Sequence, residues 1–273
     1  MPGFDELTRT LPAVETIINY IDPDAPIGGI NDVEREKSTL TLLPYKMAVR
    51  DMRPIANSLS FDTTGFVLVE RPTRVTDFYD PKQVDEIYMA EIVDLIRDLT
   101  GAERVLTFGT LIRNNAKDAP AQAHKSVHNA HIDYNIATTR AVQNRLLPEN
   151  ERARYAARRV MQINVWRPLT TIESAPLALC DSSTVARGDL IHGPIGGKSQ
   201  AGPGAAGWNL AYNSAHRWYY APRMKPGEAY VFRLCDSDAG AQQWAAHTSF
   251  DDPNSTPESA PRQSIEVRTL ALF

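Results

Sequence analysis

The chain has 273 residues, of which 42% are hydrophobic and 23% charged, with a formal net charge of −4. That length buries a substantial core without staples, and the acidic balance excludes both the basic footprint of a nucleic-acid binder and polybasic attraction to a membrane. Two cysteines, Cys180 and Cys235, are too few for a disulfide-stapled scaffold or a paired-cysteine zinc site, and are expected as reduced, buried thiols on strands.

The first residues carry acids early and lack a basic start followed by an apolar block, so no signal peptide is expected. No apolar run approaches the about 20 residues that span a bilayer, and a cytoplasmic location is the default. Residues 1–60 read as an irregular N-terminal extension packing on or covering the core of a single domain, 1–273. A short helix is predicted over Val14–Tyr20, and Pro23, Pro26, Gly28 and Gly29 break the chain after it. Gly65–Val69 reads as a buried strand. A helix is predicted from Pro81 to Thr100: Asp80 caps it, Pro81 fits its first position, Gln83 completes a capping box, and Gly101 stops it. Its stripe of Val84, Ile87, Tyr88, Ile92 and Ile96 is core packing. Arg104–Ile112 reads as the next strand, and Pro148–Arg159 as a charged, solvated helix. From Val160 onward short β-like runs follow one another (VMQINVW, PLALC, RWYYA, EAYVFRLC, SIEVRTLALF), separated by Gly and Pro turns. They predict a mainly β fold with flanking helices, a double-sheet jelly roll. The Gly- and Ala-rich stretch from Ile195 to Trp208 reads as a mobile loop.

The segment His131-Ile132-Asp133 can point an imidazole and a carboxylate to one side of a strand, because residues i and i+2 share a face. They would make two legs of a two-histidine, one-carboxylate triad, a ligand set suited to Fe(II) oxygenases. An isolated H-x-D is also a common surface pair, so the third ligand matters. His247 and His216 compete for it. His247 is preferred because Arg262-Gln263-Ser264 follows it on the final strand. That arginine can grip the far carboxylate of a dicarboxylate such as 2-oxoglutarate, and Ser264 can add a hydrogen bond. Arg268 shares the face of that strand and competes for the same anchor role. His216 is alternatively a core histidine among aromatics, His124 and His128 would need helical spacing to join a three-histidine site, and His192 reads as a loop residue.

These pieces resemble the CmcJ/AsaB-like hydroxylase/desaturase family of fungal secondary metabolism. The resemblance rests on NVWRP (164–168), PLALCDS (176–182), WYY (218–220), CDS (235–237), HTSFDDP (247–253) and RQSIEVR (262–268), in the family's order across residues 60–273. It implies a cupin-like double-stranded β-helix, Fe(II) and 2-oxoglutarate as cofactor and cosubstrate, and O2 as oxidant. It implies that His131, Asp133 and His247 hold the iron, that Arg262 and Ser264 hold 2-oxoglutarate, and that Asn164 and Arg167 contact 2-oxoglutarate or substrate. The expected reaction is hydroxylation, desaturation or a related C–H oxidation of a small natural-product intermediate. Tyr134 and Trp208 are the expected substrate contacts, and a homodimer is the default assembly. Two rivals are a cupin-type iron protein that does not use 2-oxoglutarate and a non-catalytic β-sandwich binding protein. Hydrolase, P-loop and dinucleotide motifs are absent from the sequence.

Overall fold

A computed structural model describes residues 4–31, 39–196, 201–241 and 243–273. Two sheets face each other. The larger runs β1 (Ala13–Ile21), β3 (Leu42–Asp51), β11 (Trp218–Tyr220), β8 (Leu177–Cys180), β13 (His247–Ser249), β6 (His131–Ile132), β10 (Ala206–Leu210), β9 (Leu190–Gly196) and β2 (Ile30–Asn31). The smaller runs β4 (Phe66–Glu70), β12 (Glu228–Asp236), β7 (Val160–Pro168), β14 (Gln263–Leu272) and β5 (Arg104–Asn114). All pairings are antiparallel except β11 with β3 and β2 with β9. This is the jelly roll that the punctuated β-runs imply.

The long helix forms where its caps and stripe place it. Asp80 accepts from the Lys82 amide, but the expected capping box does not close: Gln83 accepts from the amides of Thr76 and Asp77, and the Asp80 amide donates to the Asp77 carbonyl. Helical residues Pro81–Gln83 (α2) pass through a π-pitched turn, Val84–Tyr88, into Met89–Thr100 (α3), which stops at Gly101. Tyr88, Ile92 and Ile96 are buried against Ile163, Val165, Ile265 and Val267, on the outer face of the smaller sheet. Each such aliphatic side chain contributes about 2 kcal/mol.

The N-terminal segment, which opens with helix α1 (Phe4–Arg9), differs from expectation. Val14–Tyr20 lies within β1 rather than in a helix. Val14, Thr16, Ile17 and Ile18 are β-branched and stiff at χ1, which favours a pleated strand. Their pairing with β3 joins both strands to the large sheet. A second helix pair, α4 (Ile136–Leu146) and α5 (Glu149–Tyr155), follows β6. The loop expected over 195–208 is interrupted: Trp208 lies in β10, while 197–200 fall outside the described residues. Both cysteines are free and buried, as expected.

Strand parity separates two residues of the NVWRP motif. Asn164 and Arg167 are three apart on β7, so they leave opposite faces. Arg167 therefore does not join the metal cavity. Its guanidinium is buried beneath the helix, donating to the Tyr88 hydroxyl at 3.1 Å and to the Pro226 and Arg71 carbonyls at 2.7 Å each. Replacing it with methionine strands three buried acceptors and is expected to cost about 3 kcal/mol of stability. Urea denaturation checks this, and 2-oxoglutarate affinity should not change in the folded variant. A large affinity loss with full stability would return Arg167 to the site.

Candidate metal centre

The two histidines meet because His247 and His131 are direct cross-strand partners on β13 and β6. Paired residues of an antiparallel ladder share a face, and the ring centroids lie 4.4 Å apart. Asp133 follows β6 at the point where the chain turns into α4, whose first turn is capped by Asn135. Its Oδ1 lies 3.4 Å from His131 Nε2 and 3.9 Å from His247 Nε2. All three ligand atoms fall within 4.8 Å of one another, the only such group among the described residues. His131 Nδ1 is 2.8 Å from the Asn129 carbonyl, which holds the proton on Nδ1 and leaves the Nε2 lone pair for a metal.

Electrostatics favour ligand forms. Burial, aided by the neighbouring His131, pushes His247 down to about 3, against the pull of Asp133, so the ring stays neutral and able to coordinate. Burial opposes ionisation of Asp133, but Arg268 and the neighbouring His131 and His247 outweigh it and hold the carboxyl well below its usual range. A donor set of two imidazole nitrogens and one carboxylate oxygen fits a divalent iron ion and leaves coordination positions open.

The cavity beside the triad is also lined by Arg113, Trp166, Ser249, Arg262 and Glu266. Arg262 is 2% exposed. Its Nη1 donates to the Ala175 carbonyl at 2.9 Å and to Ser249 Oγ at 3.1 Å, and its guanidinium lies 5.4 Å from the Trp166 ring. Burial and the nearby Arg113 push it down to about 9, against Glu266, so it remains a cation at neutral pH. Its Nε and the Ser264 hydroxyl are buried without a hydrogen-bond partner. Unmatched buried donors of this kind are costly, and a carboxylate in the cavity is the group that would satisfy Arg262, which lines it, whereas Ser264 is not among the lining residues. The residues present therefore fit a dicarboxylate as well as a metal. The free volume of this cavity is about 10 Å³. A larger hollow of about 500 Å³, between Phe78 and His124, contains none of the metal-facing residues.

The remaining expected residues fall as follows. Asn164 joins the site through Asp133, donating to its Oδ2 at 2.8 Å. Arg268 also reaches that oxygen, at 3.3 Å, and is not positioned as the dicarboxylate anchor. Tyr134 turns away into a cluster with Phe108, Val142 and Leu147. Trp208 does not face the metal. It pairs with Ile132 while its neighbour Asn209 pairs with His131, so Trp208 leaves the other face. There it meets Arg187, 4.5 Å above its ring, and His192. His216 lies outside the triad, 3.1 Å from Asp189 and stacked on Tyr20. His128 is nearest Asp251, 4.0 Å away, and His124 bridges the edge of β5. Arg113, Ser249 and Glu266 carry no signal of their own in the sequence, although Ser249 and Glu266 sit two residues beyond His247 and Ser264 and so share their faces.

Gly207 sets the distance between β10 and the ligand loop. A Cβ there would lie 2.1 Å from the Asp133 carbonyl oxygen and 2.3 Å from that of Ile132. Gly207→Ala must push the Asp133 backbone aside, at an expected cost of about 1–3 kcal/mol together with weaker metal binding. Denaturation and metal titration of the variant check the two effects.

Fold and ligands together define a double-stranded β-helix with a two-histidine, one-carboxylate centre, the mononuclear non-haem iron class. A family model described as an oxidoreductase/YMDC permease-like domain matches residues 18–272, and the chain belongs to that family. Its relatives include a hydroxylase/desaturase, efuI, of Hormonema carpetanum, 31% identical with 96% of each chain covered. An alpha-ketoglutarate-dependent dioxygenase, tstK, of Talaromyces stipitatus is 28% identical over 95% of this chain and 97% of its own. The first of these carries the name hydroxylase/desaturase, the family that the motif order resembles. Among solved structures, the iron and alpha-ketoglutarate-dependent endoperoxidase NvfI superposes with a TM-score of 0.81 at 24% identity, covering 96% of this chain and 98% of its own, a likeness of fold.

Proposed function

We propose that the chain is an Fe(II)- and 2-oxoglutarate-dependent oxygenase that oxidises a C–H bond of a small natural-product intermediate of the fungal secondary-metabolite kind. The observation that carries this reading is the cavity shared by His131, His247 and the buried Arg262, with Asp133 grouped beside the two histidines. Iron and 2-oxoglutarate, when bound, would supply the oxidising chemistry, with O2 reduced as 2-oxoglutarate loses carbon dioxide to become succinate.

The protein's own groups bind and orient. His131, Asp133 and His247 would hold the metal. Arg262, fixed by Ala175 and Ser249 and stacked near Trp166, would take the far carboxylate of 2-oxoglutarate, with the Ser264 hydroxyl donating a further bond. Burial of all these groups excludes water and strengthens each charge interaction. Tyr134 and Trp208 do not line this cavity. Among the described residues, no helix is long and apolar enough to cross a membrane. A cytoplasmic homodimer completes the proposal, and light scattering tests the dimer.

The test adds Fe(II) and 2-oxoglutarate to the metal-free chain without oxygen and follows the visible charge-transfer absorption of the chelate. The band is expected to form at one equivalent of each. Iron uptake with no band on adding 2-oxoglutarate would favour a cupin-type iron protein, and no iron uptake would refute the metal reading.

A further inference from the structure

We infer that Asn164 and Arg268 are positioning residues that hold the outer oxygen of Asp133, so that its carboxylate offers the metal a single atom. The inference rests on reading the triad as a metal site. Asn164 and Arg268 are direct cross-strand partners on β7 and β14, so both side chains leave the same face. Both converge on Oδ2 of Asp133, the Asn164 amide at 2.8 Å and Arg268 Nε at 3.3 Å. Oδ1 alone is left turned toward the two imidazoles.

A carboxylate with both oxygens free can swing to grip a metal with both and so occupy a position needed by another ligand. Here that rotation breaks two hydrogen bonds, one of them charge-assisted. Asn164 is fully buried and Arg268 is 3% exposed, so water is poorly placed to replace them. The guanidinium is itself held. Glu266, two residues earlier on the same face, lies 3.5 Å from Arg268 Nε, and the Tyr134 ring lies 5.2 Å from the guanidinium carbon. The backbone is adapted at the same point. β5 carries an extra residue opposite Arg268, with Gly109 at φ 93°, while the ladder from Arg268 to Asn164 stays in register.

A purely structural ion pair would support the metal-free fold and leave metal binding unchanged. Cobalt(II) titration of the metal-free full chain separates the two roles, because the d–d absorption reports affinity and coordination number together. Asn164→Ala and Arg268→Gln are expected to lower cobalt affinity by about 10–100-fold and to shift the band toward higher coordination. Arg268→Lys, which keeps a charged donor, should recover part of the affinity. Melting of each metal-free variant establishes that it is folded, and Asn164→Ala decides the matter if Arg268→Gln does not fold. Cobalt affinity within about twofold of wild type, with an unchanged band, in folded Asn164→Ala would overturn the inference while leaving the metal site standing. A wild-type chain that takes up no cobalt would overturn the metal reading and this inference with it.

Discussion

Replacing His247 with alanine is expected to strip the protein of its metal. Even partners that only support metal ligands cost about 10–100-fold in affinity when removed, so loss of one of three direct ligands should cost on the order of 100-fold or more. His247 has no substitute among the described residues: the triad is the only group of its kind there, and His216 is committed to Asp189 and Tyr20. Iron stoichiometry after anaerobic loading and desalting provides the measurement. His216→Ala is the matched control, and it should keep iron while losing stability, because it removes a stacked ring and leaves the Asp189 carboxylate unpaired by it. A His247→Ala protein that retains one equivalent of iron would refute the assignment.

Arg262→Ala is expected to disable cosubstrate binding while leaving iron binding intact. Truncating one partner of a buried, hydrogen-bonded charge pair costs about 2–4 kcal/mol, or roughly 30- to 1000-fold in affinity. The loss should appear as a higher 2-oxoglutarate concentration at half-formation of the chelate band, at unchanged iron occupancy. Arg262→Lys should recover little, since a point charge does not reproduce the planar fork held between Ala175, Ser249 and Trp166. Unaltered 2-oxoglutarate affinity in Arg262→Ala would move the anchor role elsewhere in the cavity, where Arg113 is the other guanidinium in the lining.

Much of the scaffold was legible because local chemistry and tertiary packing agree. The 81–100 helix carries its caps, its stop and its stripe in the sequence, and the structure uses all three. The 14–20 segment is a strand and not a helix, and a run this short has no decisive period. Its β-branched content was the better guide, and its strand pairing depends on residues 42–51, far along the chain. α4 escaped notice because IATTRAVQNRL offers a weak apolar stripe and buries Thr138, Thr139 and Gln143 instead. At the site, the H-x-D spacing and the arginine following His247 point to residues that the structure brings into one cavity. Arg167 could have been set aside by parity with Asn164 alone. Trp208 could not, because its orientation follows from the register of β10 against β6, which no local pattern specifies.

The segment leading to the first ligand is held from the far N-terminal side of the sequence. Asn19 on β1 accepts from the Ala130 amide through its carbonyl, and its side-chain amide donates to the His128 carbonyl. The second ligand is held by Arg268 on β14. During synthesis, therefore, the ligand loop has its upstream brace before it emerges and waits for its downstream one until the last strand has joined the sheet. Contacts so distant in sequence form late and slowly, so the iron site is expected to be among the last parts of the molecule to mature. Metal uptake would then report docking of β14 onto β7.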